Sequence, residues 1–175
     1  MSTLQIIEGT PASRPALSLL DIQVAPAVVW SRIEEWIAYR WGVRDCSFIV
    51  EGGCGAWRAP LTPFTVATVD VWHDDWQPVT LTPHPLGGLV IGDSEAYRLT
   101  GTAGSATPPP AEVVEAARRL QAFWAAAAGE DKGSTQESRT EGDLTANVTR
   151  SRDWLARAIH SSGAADLLRK YRRAP

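Results

Sequence analysis

Phe64-Thr-Val-Ala-Thr-Val-Asp-Val-Trp72 (FTVATVDVW) decides how the middle of this chain is read. Threonine and valine dominate it, and their β-branched side chains lose rotamer freedom in a helix but fit a pleated surface. The stretch therefore predicts a strand. Its larger apolar residues Phe64, Val66 and Val69 do not keep one strict parity, which predicts a bulge or burial on both faces. Moving outward, Asp74-Asp75 between Trp72 and Trp76 reads as a turn into the next strand. The whole region 43–104 is rich in Gly, Pro, Thr and Val, with short runs at 47–51, 77–81, 88–91 and 95–99 set between turn residues. Such punctuation predicts a small antiparallel sheet.

On both sides the period becomes helical. Over 25–41, Val29, Ile33, Trp36 and Ile37 recur at helical spacing, with Pro26 suited to the first turn and Gly42 to the stop. Over 111–128, Val113, Ala117, Leu120, Trp124 and Ala127 share a face, while Glu112 and Glu115 in the first turn complement the macrodipole. Residues 1–20 carry Pro11 and Pro15 among small polar residues and read as an extended or mobile arm. Segment 129–142 (GEDKGSTQESRTEG) is polar, charged and aperiodic, and reads as a flexible linker. Two amphipathic pieces close the chain: 144–160, using Trp154, Leu155, Ala158 and Ile159, then one after Gly163 using Ala164, Leu167, Leu168 and Tyr171. The expected fold is α+β: a helical bundle over 21–128 with a small antiparallel β insertion at about 43–104, and a C-terminal helical docking arm over 143–175.

The bulk numbers fit this frame. The chain has 175 residues and 44% apolar content, enough for one domain with a core. No apolar run approaches the ~20 residues that span a bilayer, and the first residues lack a signal peptide's basic start and apolar core, so no membrane partner is expected. Cys46 and Cys54 lie eight apart around a Gly-Gly pair without a nearby histidine, so reduced structural thiols and no metal site are expected. Eight tryptophans are spread over every segment. Most belong to a core, and some suit subunit or partner interfaces.

Charge singles out the C-terminus. From Thr149 onward seven Arg or Lys face two Asp, a local balance of +5; the chain as a whole carries -3, so the rest carries -8. A basic tail on an acidic body reads as a docking arm. Within it, Leu167, Leu168, Arg169, Lys170, Tyr171, Arg172 and Arg173 form an amphipathic segment suited to burying Leu and Tyr in a groove while its cations meet an acidic rim. Two other readings stay open. The cations could neutralise phosphates of nucleic acid, or the segment could be a helix packed on its own domain.

Signals for chemistry are sparse. His73 beside Asp74 and Asp75 is the one histidine with acidic neighbours, and a small intracellular enzyme built around these three is the rival reading. A hairpin turn accounts for the cluster equally well, because adjacent strand residues point to opposite faces. His84 sits between prolines, and His160 suits a helix end. No phosphate loop, dinucleotide fingerprint, nucleophile elbow or HExxH helix is present, so no catalytic residue and no cofactor are assigned. Glu34-Glu35 reads as solvated helix surface.

Taken in order, several segments resemble the head-to-tail adaptor (connector) proteins of long-tailed phages and gene transfer agents. They are IEEWIAYRWG (33–42), PLTPFTVATVDVW (60–72), EAYRLTG (95–101), PPPAEVVEAARRLQAFW (108–124) and the ending GAADLLRKYRRAP (163–175). The likeness spans roughly residues 24–175 and rests on the order, since each motif alone is an ordinary helix or strand. It implies a non-enzymatic virion protein in the neck, a homo-oligomeric ring of about twelve subunits. The ring would lie between the portal protein and a stopper or tail-completion protein, with double-stranded DNA passing through. By position, it makes Leu167, Leu168, Tyr171, Arg172 and Arg173 the portal-docking residues.

Overall fold

A computed structural model describes residues 2–16, 24–94, 96–128, 136–141, 144–149 and 157–172. Its strands are β1 (Thr3–Glu8), β2 (Arg44–Glu51), β3 (Gly55–Trp57), β4 (Phe64–His73), β5 (Asp75–Pro78), β6 (Leu89–Ile91), β7 (Ala96–Ala103), β8 (Gln136–Glu141) and β9 (Leu144–Thr149). The helices are α1 (Pro26–Ile37), α2 (Ala111–Ala128), α3 (Ala158–Ser161) and α4 (Ala164–Leu168), closed by a 3-10 turn at Arg169–Tyr171. These elements group into a sheet unit, Met1–Pro15 with Ala38–Pro108, and a helical unit, Ala16–Ile37 with Pro109–Pro175.

The sheet unit is built on five antiparallel strands in the order β1-β2-β7-β4-β5. FTVATVDVW lies within β4, and its broken parity is a bulge at Ala67. Phe64 and Val66 face Ala103 and Gly101 of β7; beyond the bulge Val69 and Val71 face Leu99 and Tyr97. The extra residue switches parity, so four apolar side chains on both sides of it oppose the one buried face of β7. Gly101 is required there, because a Cβ would collide with the Thr65 carbonyl oxygen. Strand β2 alternates cleanly, with Arg44, Cys46, Phe48 and Val50 inward. Phe48 meets Phe64 and Trp57 edge-on at 4.9 and 5.5 Å between ring centroids, a favoured aromatic geometry. Trp57 and Ile91, from the two-stranded ribbon β3-β6, join the same core.

Arg40, Arg44 and Glu8 fasten β1 to this unit. Arg40 donates from Nε to Glu8 Oε1 (2.6 Å) and from Nη2 to Oε2 (3.0 Å); Arg44 Nη1 donates to Oε1 (2.8 Å). Arg44 also donates to the Trp41 and Gly42 carbonyls. Both guanidinium groups are buried. Desolvation works to raise the Glu8 pKa, but the Arg40 hydrogen bond and the charges of Arg40 and Arg44 outweigh it and hold the carboxyl below its usual range.

In the helical unit, α1 buries Val29, Trp30, Ile33 and Ile37, and α2 buries Val113, Ala116, Ala117 and Leu120. Both α3 and α4 pack on α2 and bury Ala158, Ile159, Ala164 and Leu168. Glu34 is buried, against the surface reading of the Glu34-Glu35 pair, whereas Glu35 is exposed 3.9 Å from Arg32. Strands β8 and β9 pair antiparallel from Gln136↔Thr149 to Glu141↔Leu144.

A helical bundle with a small β insertion and a helical docking arm is therefore not the architecture. Among the described residues the five-stranded sheet is the largest element, and the helices are few. Three physical causes account for the difference. Residues 3–8 show no clean alternation because β1 is an edge strand exposed on both faces, with Leu4, Ile6 and Ile7 all open to solvent. The helix expected to reach residue 41 stops at Ile37 because Ala38 takes a left-handed φ of 57°. The chain then turns into the sheet unit, where the Ala38 carbonyl accepts the Thr62 N–H and Arg40 N–H donates to the Thr62 carbonyl. Finally, the C-terminal helices are only four and five residues long and lie on α2, and the expected helix at 144–160 begins instead as strand β9. Of the expected linker, 129–135 and 142 lie outside the described residues, as does 150–156 of the last amphipathic piece, Trp154 and Leu155 included; 136–141 is β8.

Candidate interaction surface

The C-terminal basic segment belongs to the helical unit and has internal partners. Leu168 is fully buried, Leu167 and Tyr171 are half-buried, and Arg169, Lys170 and Arg172 are exposed. Arg173 lies outside the described residues. Gly163, with φ 73°, opens α4, and its left-handed turn separates α4 from α3.

Two α-helical residues receive this segment. Glu112, in the first turn of α2, accepts from Lys170 Nζ at Oε1 (2.7 Å) and from the Tyr171 hydroxyl at Oε2 (3.1 Å). The Lys170 hydrogen bond is the largest influence on its carboxyl, which is held down at about 2, with further help from a backbone hydrogen bond and Tyr171. The same contact raises the Lys170 pKa, so both groups stay charged across the neutral range. Trp36 on α1 takes the Arg172 guanidinium over its ring at 4.8 Å and the His160 ring edge-on at 4.9 Å. Lys170 also lies 5.0 Å from the Tyr171 ring centroid. The segment is thus held by the buried Leu168, and its cationic surface meets the Glu112 carboxylate and the Trp36 indole.

Spacing in sequence could not have revealed Glu112 and Trp36 as partners. Glu112 lies 58 and 59 residues from Lys170 and Tyr171. Each also satisfied a local reading, as a helix-start acid and an apolar-face aromatic.

His73, Asp74 and Asp75 form the tip of the β4-β5 hairpin. His73 pairs with Asp75 across the turn, Asp74 takes a left-handed φ of 61°, and all three are exposed. Asp75 Oδ1 accepts from Gln77 Nε2 at 3.1 Å. Turn geometry accounts for every member of this cluster. Among the described residues no group of three or more His, Cys, Asp or Glu is placed to hold a metal ion, and no helix is long and apolar enough to cross a membrane. Both cysteines are free; Cys46 is buried and Cys54 exposed. Burial and the Glu8 carboxylate push the Cys46 thiol up to about 11.

A second surface lies on the sheet unit. Trp72 and Trp76 oppose each other across β4 and β5 with ring centroids 5.2 Å apart. Arg98 stacks over Trp76 at 4.7 Å and donates to Asp70 from both Nε and Nη2.

Comparison with protein-family models gives no match, and comparison with curated proteins gives none. Solved structures do share the fold. A chain from the neck of a native GTA (gene transfer agent) particle, computed with C12 symmetry, superposes with a TM-score of 0.51 at 16% identity. It covers 86% of this chain and 80% of its own length. A chain from the neck of an empty GTA particle, computed with C6 symmetry, gives a TM-score of 0.50 at 16% identity over 86% of this chain and 76% of that one.

Proposed function

We propose that this protein is a structural, non-enzymatic component of a virion neck, a head-to-tail adaptor. In this reading copies form a closed ring of about twelve between the portal and the stopper or tail-completion protein, and the ring lines the DNA conduit. The observation that carries it is the shared fold with neck chains of GTA particles over 86% of this chain. The order of motifs in the sequence supports the same family independently of that superposition.

Charge and composition agree with such a role. A conduit wall of net negative charge discourages the duplex from adhering as it passes, and the body outside the tail carries -8. The portal-docking surface comprises Leu167, Leu168, Arg169, Lys170, Tyr171, Arg172 and Arg173. Leu168 anchors the segment to α2's unit, while Leu167 is half-buried and Arg169, Lys170 and Arg172 are exposed. One such contact per subunit is weak, and repetition around a ring multiplies it.

Removal of residues 167–175 tests the docking surface. Particles carrying the truncated protein should accumulate as separate heads and tails, counted by electron microscopy. Normal joining by the truncated chain would remove the docking role.

A further inference from the structure

The contact between Glu112 and the tail has a geometry of its own. Lys170 Nζ and the Tyr171 hydroxyl each hold a different oxygen of one carboxylate, at 2.7 and 3.1 Å. Together they form a two-pronged carboxylate receptor, with the Arg172 guanidinium a further cation on the neighbouring Trp36 ring. Such a receptor discriminates by shape as well as charge, since two donors spaced for the two oxygens of a carboxyl group fix its orientation. Glu112 and Lys170 are both well exposed, at 45% and 60% of their side-chain surfaces. An exposed ion pair contributes little net stability, so replacing Glu112 by another carboxylate costs little.

We propose that Glu112 is an internal stand-in for a carboxylate of the docking partner, and that Lys170 and Tyr171 exchange it for an Asp- or Glu-bearing segment when the tail docks. This rests on the docking reading above and narrows its acidic rim to an Asp or Glu carboxylate seated between Lys170 and Tyr171 of each tail. Before docking, Leu168 holds the tail on its own unit and Glu112 occupies the Lys170 and Tyr171 donors. Afterwards the same donors bind the partner, so each subunit's hydrogen-bond count is unchanged by the exchange. Glu115, one turn further along α2 and paired with Arg119 at 3.1 Å, has no contact with these donors and serves as the control.

The test compares Glu112→Gln and Glu115→Gln in the full-length protein. Amide hydrogen exchange at 169–172 should quicken about fivefold in Glu112→Gln while α1 and the rest of α2 keep their protection. Glu115→Gln should match the wild type. Affinity for a hexaglutamate peptide should rise about fivefold in Glu112→Gln and fall below wild type when Lys170→Ala and Tyr171→Phe are combined. Unchanged exchange and unchanged peptide affinity in Glu112→Gln would overturn the stand-in role. So would a preference for a short DNA duplex over hexaglutamate. If the 167–175 truncation still joins heads to tails while Glu112→Gln behaves as described, the docking reading fails and the carboxylate receptor stands. The reverse pattern removes the receptor alone.

Discussion

Glu8→Ala is expected to destabilise the sheet unit by about 3 kcal/mol, visible as a lower urea midpoint with an unchanged slope. Glu8 is the carboxylate that Arg40 and Arg44 share, and both guanidinium groups are buried, with side chains only 8% and 4% exposed. Truncating Glu8 removes three charge-assisted hydrogen bonds to two buried guanidinium groups, and breaking such a buried cluster at one member is strongly destabilising. The carboxylate's own partial exposure, 26%, places the expected loss at the lower end of the range for buried pairs. The pH dependence follows from the direction of the Glu8 shift. A carboxyl whose folded pKa is depressed contributes stability that is full above its unfolded value, near 4.5, and is lost as pH falls through the folded value. Wild type should therefore lose the stability due to Glu8 in acid below about 4.5, and Glu8→Ala should lack that portion of the pH profile. A Glu8→Ala midpoint equal to wild type would show that the Glu8 contacts add nothing to the stability of the unit.

Leu168→Ala should destabilise the helical unit by about 2–5 kcal/mol, the range for emptying a fully buried leucine site. Leu168 has no exposed surface and closes α4 where it packs on α2. Its neighbour Leu167 is half-buried, so Leu167→Ala should change stability by about 1 kcal/mol or less. The pair divides what sequence runs together as one dileucine, in that Leu168 is fully buried and Leu167 only half-buried. Thermal unfolding of the two variants reads the difference directly, and equal losses would contradict it. Glu8 lies in the sheet unit and Leu168 in the helical unit, so where two transitions are resolved Glu8→Ala and Leu168→Ala should act on different ones.

How much of this was legible in the sequence depended on whether the deciding contacts were local. The bulge in β4 was readable as one of two arrangements because Phe64, Val66 and Val69 break parity within six residues. The hairpin turn at Asp74-Asp75 and helix α2 were readable for the same reason, since their signals lie within one turn or one face. The balance of the fold was misjudged because sheet size is a non-local property. Nothing in TLQIIE, exposed along almost its whole length, announces that it pairs with residues 46–50. The Glu8 clasp that holds it spans 32 and 36 residues. The basic tail was visible as charge, and its amphipathic pattern fits both packing and docking. Burial of Leu168 and the Glu112 contact divide that pattern residue by residue, and the division was out of reach of composition.

The neck assignment is tested most directly by locating the protein in an assembled particle, for which Cys54 is a ready handle. Its thiol is exposed, whereas Cys46 is buried with its thiol pushed up to about 11 and so stays protonated and unreactive at neutral pH. Full-length protein labelled at Cys54 with maleimide nanogold and supplied during particle assembly should place gold in a single band at the head–tail junction, seen by electron microscopy. Gold over the capsid, along the tail or at its tip, or particles that carry none, would contradict the account.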